Sequence, residues 1–297
     1  MNASAGLRYA YNTNGLQSHR LSDAMKLLRS AGYDGIALTL DHMHLDPFRT
    51  SERDVQALQR RLEDHGLAVS IECGARFLLD PRRKHRPSWF ETEPAERARR
   101  TRFLQRAIRL ASLLDAESVV TFATIAPPEL DPERGFEILV EELGHALQIA
   151  RRYGVELALE PEPGHFIETV AGWQRLRDAL PELKIAVDVG HVPVSEPGRA
   201  IPEVLRSVAP ALGAVHIEDT GGDVHEHLPF GEGALDFPPI LAALIESDYR
   251  GLVAVELSRD SHRAHELVPR SIKALREYEA TARAQLAAGA GPNAAGA

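Results

Sequence analysis

Eight short aliphatic and β-branched runs recur along the chain, at residues 7–14, 35–41, 68–74, 118–124, 156–163, 184–191, 212–219 and 251–258. Each is followed by a stretch whose apolar residues fall three and four apart, such as Leu21, Met25 and Leu28, or Val55, Leu58 and Leu62. Strands that alternate with helices in this way imply an α/β fold with a parallel sheet and helical crossovers, one helix in every gap. Gly32, Gly66, Gly154 and Gly251 stand between a helical stretch and the next run, where glycine supplies the left-handed residue that ends a helix. Eight such units without a linker predict a closed (β/α)8 TIM barrel, a single domain over residues 1–280. The chain of 297 residues is long enough for it, since such barrels take about 250. No GxGxxG follows any of the runs, which removes the usual dinucleotide-binding alternative. Residues 281–297, rich in alanine and glycine, are expected to form a flexible tail.

Composition narrows the function classes. Hydrophobic residues at 44% and charged residues at 26% are those of a globular protein. A net charge of -9 repels nucleic acid and anionic membranes unless a local basic patch outweighs it. No window approaches 18 consecutive apolar residues, so no membrane span is expected. The lone Cys73 has no partner for an internal disulfide, and residues 1–6 carry neither the basic nor the apolar region of a signal peptide. The expected compartment is the cytoplasm.

In a barrel of this kind chemistry sits at the C-terminal ends of the strands. Four consecutive runs end in a potential ligand: Glu160, Asp188, His216 and Glu256. Adjacent strands are about 4.8 Å apart, so closure aims all four at one point. Three carboxylates that close need a cation to remain ionised together. One divalent metal satisfies them, and three oxygen donors with one imidazole favour Mn²⁺ or Mg²⁺, with Co²⁺, Fe²⁺ or Zn²⁺ as further candidates. Glu162, two residues beyond Glu160, shares its face by alternation; Glu160 is preferred because the apolar run ends directly before it.

At these residues the sequence resembles the sugar phosphate isomerase/epimerase superfamily, the xylose isomerase-like TIM barrels that include ketose 3-epimerases, inosose dehydratases and the endonuclease IV group. The motifs are Leu159-Glu160-Pro161, Asp188-Val189-Gly190-His191, Val215-His216-Ile217-Glu218-Asp219, Gly231-Glu232-Gly233-Ala234-Leu235-Asp236 and Val255-Glu256-Leu257. The resemblance implies that Glu160, Asp188, His216 and Glu256 hold the metal and that His191 contacts substrate. It also implies an isomerase or epimerase of a sugar or related polyhydroxy carbonyl compound, working through a metal-stabilised enediolate. Glu160 and Glu256 would be the acid/base pair on opposite faces of the substrate. Loss of a β-hydroxyl from the same enediolate would make the protein a dehydratase of the inosose dehydratase kind. An endonuclease IV-like phosphodiesterase is disfavoured by the acidic balance and by the lack of histidines where runs three and four end, in Glu72-Cys73-Gly74 and Phe122-Ala123-Thr124. A homodimer is a family-level expectation.

Secondary candidates surround this set. His42, with His44, follows the second run, and His225 and His227 follow the seventh; these could bind substrate or a second metal. Arg76 and Arg259 are placed to meet an anionic group on the substrate, as is the basic stretch Arg82, Arg83, Lys84, His85 and Arg86 within the long loop 80–94. Trp89 and Phe90 would cover the site or pack beneath that loop. Arg97, Arg99, Arg100, Arg102, Arg106 and Arg109 read as a solvated helix face, and Cys73 as inert packing.

Overall fold

The computed structural model describes residues 6–222 and 224–289. Strands β1 (Arg8–Asn12), β2 (Gly35–Thr39), β3 (Ala68–Glu72), β4 (Ser118–Phe122), β5 (Glu156–Glu160), β6 (Lys184–Asp188), β7 (Leu212–Ile217) and β8 (Leu252–Val255) follow one another around a closed parallel barrel. The barrel closes where Arg8 pairs with Leu252 and Tyr11 with Val255. The predicted runs overshoot most strands by two or three residues at the C-terminal end. There the chain leaves the ladder as its polar side chains turn into the mouth.

Around the barrel lie α1 (Leu21–Ala31), α2 (Glu52–His65), α3 (Pro94–Leu113), α4 (Pro132–Tyr153), α5 (Val170–Ala179), α6 (His191–Ser195), α7 (Ile201–Val208), α8 (Phe237–Glu246) and α9 (Ala264–Gly289). The gap between β6 and β7 therefore holds two helices, not one. The predicted tail is also corrected: residues 281–289 belong to α9, and 290–297 lie outside the described residues. Among the described residues no helix is long and apolar enough to cross a membrane.

Local chemistry sets the helix ends. Ser51, Asp131 and Thr169 cap α2, α4 and α5 by accepting an N–H of the first turn. Gly32, Gly66 and Gly154 take the left-handed conformation and return their N–H groups to the last carbonyls of α1, α2 and α4. Gly251 does not act this way. After α8 the left-handed residue is Asp248, and a side chain at Gly251 would meet the Tyr249 hydroxyl.

Alternation along each strand separates two environments. Ile36, Leu38, Val69, Ile71, Leu157, Leu159, Val253 and Val255 belong to the main core formed with the helices. Facing the axis, two residues before the positions that face the mouth (a polar side chain on every strand but β4, where it is Phe122), are Ala10, Ala37, Ser70, Val120, Ala158, Ala186, Ala214 and Ala254. Barrel interiors are usually filled by bulky branched residues. Here the small layer leaves room for the mouth side chains to converge above it. Below it a cavity of about 370 Å³ opens at the N-terminal end and reaches Glu72 and His216 from behind.

Candidate active site at the mouth of the barrel

Glu160 and Asp188 close β5 and β6, His216 is the last-but-one residue of β7, and Glu256 follows β8 directly. Asp188 and His216 are register partners, as are His216 and Ala254, which brings the three strand ends level. His216 Nδ1 lies 2.9 Å from Glu160 Oε1 and 3.4 Å from Glu256 Oε2. Asp188, His216 and Glu256 each place a ligand atom within 4.8 Å of the others. Three of the four residues expected to hold the ion thus converge, and Glu160 adjoins them through His216 and, in a separate group, through Asp188 and His191.

The structure also tests whether these residues fit a divalent cation. Asp188 Oδ1 accepts the Gly190 N–H at 2.8 Å, but its Oδ2 is buried without a hydrogen-bond partner. An orphaned carboxylate oxygen facing other carboxylates and one imidazole nitrogen is an arrangement a cation satisfies. The donor set suits a hard or borderline ion, and the geometry does not choose among Mn²⁺, Mg²⁺ and Zn²⁺.

A fifth strand end, not singled out by the sequence, joins them. Glu72, the last residue of β3, places Oε1 3.0 Å from His216 Nε2. With Nδ1 toward Glu160 and Glu256, this hydrogen bond fixes the ring from its far side. Burial pushes the Glu72 carboxyl up to about 7, against the pull of His216. Burial also works against a charged His216, yet Glu72 and Glu160 together hold its pKa well above the ordinary value. The alternation Val69-Ser70-Ile71-Glu72 carried the same signal as the other strands.

Glu256 is steered by two amides that also went unassigned. Asn14 Nδ2 donates to Oε1 at 2.7 Å and Asn12 Nδ2 to Oε2 at 3.3 Å. Asn12 is itself fixed, because its Oδ1 accepts the Thr39 hydroxyl at 2.6 Å. Glu218, another addition, is 1% exposed, lies 3.5 Å from His227 Nδ1 through Oε1, and is held well above the ordinary carboxyl range by burial and then by the neighbouring Asp188 charge. It lies with Asp188 and His227 in a second group whose ligand atoms approach within 4.8 Å, and Gly190 is required beside it, since a Cβ there would fall 2.1 Å from Glu218 Oε1. Asp219 accepts the N–H groups of Gly231, Gly233 and Leu235, which explains the Gly-x-Gly-x-Leu spacing that follows β7.

The other predicted residues divide. His191 is buried at the start of α6, 3.5 Å from Asp188 Oδ2, 3.8 Å from Glu162 Oε2 and 3.9 Å from Glu160 Oε1. Burial disfavours its charge, but Asp188 and Glu162 raise it to about 9. Its Nε2 is 3.0 Å from His225 Nε2, and burial followed by the charge of His191 lowers His225 to about 4. His191, His225 and His227 form a third candidate ligand group. Burial pushes Glu162 up to about 8, His191 opposing and Glu160 adding to it. Glu162, His227 and Arg76 line the mouth, a cavity of about 170 Å³ shared with Glu160, His191, His216 and Glu256.

His42 does not join them. It is 65% exposed and pairs with Asp46 at 3.2 Å, while His44 binds the His19 carbonyl. Most of the basic loop is self-neutralised, Arg83 by Asp80 and Glu96, Arg86 by Glu91. Trp89 and Phe90 pack beneath the loop. Arg100, expected on a solvated face, is 1% exposed and donates to the carbonyls of His85 and Pro87 at 2.6 and 3.0 Å, pinning the loop over α3. Cys73 is buried, and burial pushes its thiol far above the ordinary value, in keeping with a packing role.

Under the same loop two histidines are held neutral. Burial lowers His165 to about 3 and His85 to about 4, with Lys84 adding to the effect on His85 and His85 itself to that on His165. Their rings meet edge to face at 5.8 Å, and His85 Nδ1 donates to the Gly74 carbonyl. The unfolded chain protonates such groups near 6.5 while the folded one does not. Their contribution is therefore whole above about 6.5 and falls as the pH drops toward the folded values of about 4 and 3. For His165 the limiting slope is about 1.4 kcal/mol per pH unit. The urea midpoint of wild type should fall more steeply between pH 7.5 and 5 than that of His165→Asn. Parallel curves would remove this assignment.

Comparison with known proteins agrees with the fold. A family profile described as xylose isomerase-like TIM barrel matches residues 25–278. Among curated relatives, the putative L-ribulose-5-phosphate 3-epimerase SgbU of Escherichia coli K12 is 27% identical over 267 residues, 87% of this chain and 90% of that one. An inosose dehydratase of Geobacillus kaustophilus is 32% identical over 149 residues, 44% of this chain and 48% of that one. Among solved structures, an L-ribulose 3-epimerase superposes with a TM-score of 0.79 at 19% identity, covering 97% of this chain and 99% of the other, which bears on the fold alone. What the fold and these relatives define is a barrel enzyme of the sugar epimerase and isomerase kind. The chain belongs to the xylose isomerase-like TIM barrel family.

Proposed function

We propose that the protein is a divalent-metal-dependent epimerase or isomerase of a small polyhydroxylated ketone, moving a proton at the carbon beside the carbonyl. The observation that carries this reading is the approach of both Glu160 and Glu256 to His216 Nδ1, at 2.9 and 3.4 Å. Two carboxylates facing one small volume can take a proton from one side of a carbon and return it from the other. A divalent ion held by Glu160, Asp188, His216 and Glu256 would supply Lewis acidity to the oxygens beside that carbon. Asn12 and Asn14 orient the Glu256 carboxylate, so that it meets the substrate in a fixed pose. His191, charged near neutrality, donates a hydrogen bond to a substrate oxygen.

One observation favours dehydration as a second reading. Glu162 stays protonated at neutral pH and lines the same cavity, where it could protonate a departing hydroxyl. Incubation with ketoses and with inososes in D₂O and Mn²⁺, followed by NMR, separates the two. Deuterium beside the carbonyl of a ketose, abolished by chelation, supports epimerisation. Loss of water from an inosose without ketose exchange replaces it with the dehydratase, and inertness toward both classes after metal reconstitution removes the proposal.

A further inference from the structure

Far from the mouth residues, the outer face of α3 carries positive charge that the fold neutralises only in part. Arg102, Arg106 and Arg109 stand three and four residues apart on one side of the helix, and Arg152 of α4 joins them along a groove of about 660 Å³. No acidic residue lines this groove, and none of its residues lines the mouth cavity. Glu52 pairs with Arg109, but among the described residues no carboxylate lies within ion-pair distance of Arg102, Arg106 or Arg152. The neighbouring Arg151, by contrast, is paired with Glu182. Like charges at these spacings work against a helix, and a chain with 43 acidic residues against 34 basic ones does not lack carboxylates to offset them. Two exposed rings stand at the ends of the row. Phe48, 48% exposed, sets its ring 6.4 Å from that of Phe103, the residue after Arg102. Tyr153, 41% exposed, is held at the other end, where its carbonyl accepts the Ser112 hydroxyl at 3.2 Å. Arginine beside exposed aromatic side chains is the composition that recognition surfaces concentrate.

We propose that this groove binds a nucleoside di- or triphosphate, with its phosphates on the arginine row and its base against one of the two rings. Guanidinium forks match phosphate oxygens through paired N–H donors, and every base offers a face on which an aromatic ring can stack. From Arg102 to Arg109 the helix rises about 10 Å, a length that a chain of phosphates uses and a single phosphate does not. The volume falls within the range of small-molecule sites. A polynucleotide would instead run past the patch onto the surface of a chain whose net charge of -9 repels it. Groove and mouth share no residue, so the ligand bound here is not the substrate, and the proposal is independent of the ketone chemistry.

Calorimetry with ATP, inorganic tripolyphosphate and adenosine tests the site. ATP should bind about 10-fold more tightly than tripolyphosphate, the share that a stacked base contributes, and adenosine most weakly of the three. Arg106→Gln and Arg152→Gln should each weaken ATP binding by about 3- to 30-fold. Either Phe48→Ser or Tyr153→Ser should bring ATP down to the tripolyphosphate level, which identifies the ring that holds the base. Arg60→Gln, exposed on α2 outside the groove, and Arg76→Gln, at the mouth, should leave the affinity unchanged. The circular dichroism of each variant shows that it is folded. Absence of ATP binding overturns the proposal, as does binding weakened by Arg76→Gln and not by Arg106→Gln, which would move the phosphates to the mouth. Equal affinity for ATP and tripolyphosphate, with neither ring substitution having an effect, removes the nucleoside. Preference for a glutamate-rich peptide over ATP overturns the proposal in favour of an acidic polypeptide.

Discussion

Glu256→Gln lowers turnover by about 10²- to 10⁴-fold, the range that general acid-base groups contribute. Glutamine preserves the size of the side chain and one oxygen that can face a cation, but it can neither take nor return a proton. Asn12 and Asn14, which now donate to the carboxylate, would meet an amide and hold it less well. Glu160→Gln should show a comparable loss, since its Oε1 also approaches His216 Nδ1, at 2.9 Å. The loss should appear in kcat with metal at saturation, and carbon-bound hydrogen exchange with D₂O should disappear along with it. Paired profiles carry extra information: a variant that still exchanges deuterium yet fails to form the epimer has lost the returning partner, not the removing one. Activity within a few-fold of wild type in Glu256→Gln would end the assignment of that carboxylate to proton transfer.

Much of the architecture was legible because two periodicities coexist. Outward-facing positions such as Ile36 and Leu38, Val69 and Ile71, or Leu157 and Leu159 mark the strands, and the left-handed glycines at 32, 66 and 154 mark where helices end. The site was legible where a strand stops being apolar, at Glu160, Asp188, His216 and Glu256. Glu72 obeys the same rule, but Cys73 and Gly74 behind it carry no further ligand type to mark that strand end as part of a site. Asn12, Asn14 and Glu218 follow no local pattern that distinguishes a site residue from a turn residue. Their roles depend on which strand ends are neighbours, and that is settled by closure: β1 meets β8, and so Asn12 and Asn14 meet Glu256. Arg100 shows the opposite limit. Six arginines in one helix suggest solvent, but the loop before α3 folds back over one of them and satisfies its donors with carbonyls. His42, three residues past β2, was expected at the mouth, yet the turn held by Asp41 and Asp46 carries it outward.

The alanine layer beneath the mouth bears on how this site can vary. With Ala158, Ala186, Ala214 and Ala254 below them, the strand-end side chains rest on a thin floor, and no bulky residue dictates their rotamers from underneath. Positioning must then come from lateral hydrogen bonds, which is what Glu72 gives His216, and Asn12 and Asn14 give Glu256. Substitutions among these lateral partners should therefore disturb the site more than conservative changes in the layer below.

Metal content is the second quantity expected to change most. Wild type, purified without chelator and reconstituted, should hold about one equivalent of a divalent ion per chain. His216→Ala should hold almost none, because the only imidazole among the four converging ligands is lost and Glu72 is left facing an empty space with a carboxyl that burial already pushes up to about 7. Glu72→Gln should retain the stoichiometry while weakening affinity by about 10- to 100-fold, the usual effect of removing the partner that orients a ligating histidine. The contrast is diagnostic: loss of capacity in one variant and of affinity in the other means that His216 binds the ion and Glu72 holds His216. Full metal content in His216→Ala would refute the four-ligand arrangement and move the ion to His191, His225 and His227. Two equivalents in wild type, one of them lost in Glu218→Gln, would instead place a second ion beside Asp188. The buried Glu218 carboxyl would then have a cation as counter-charge.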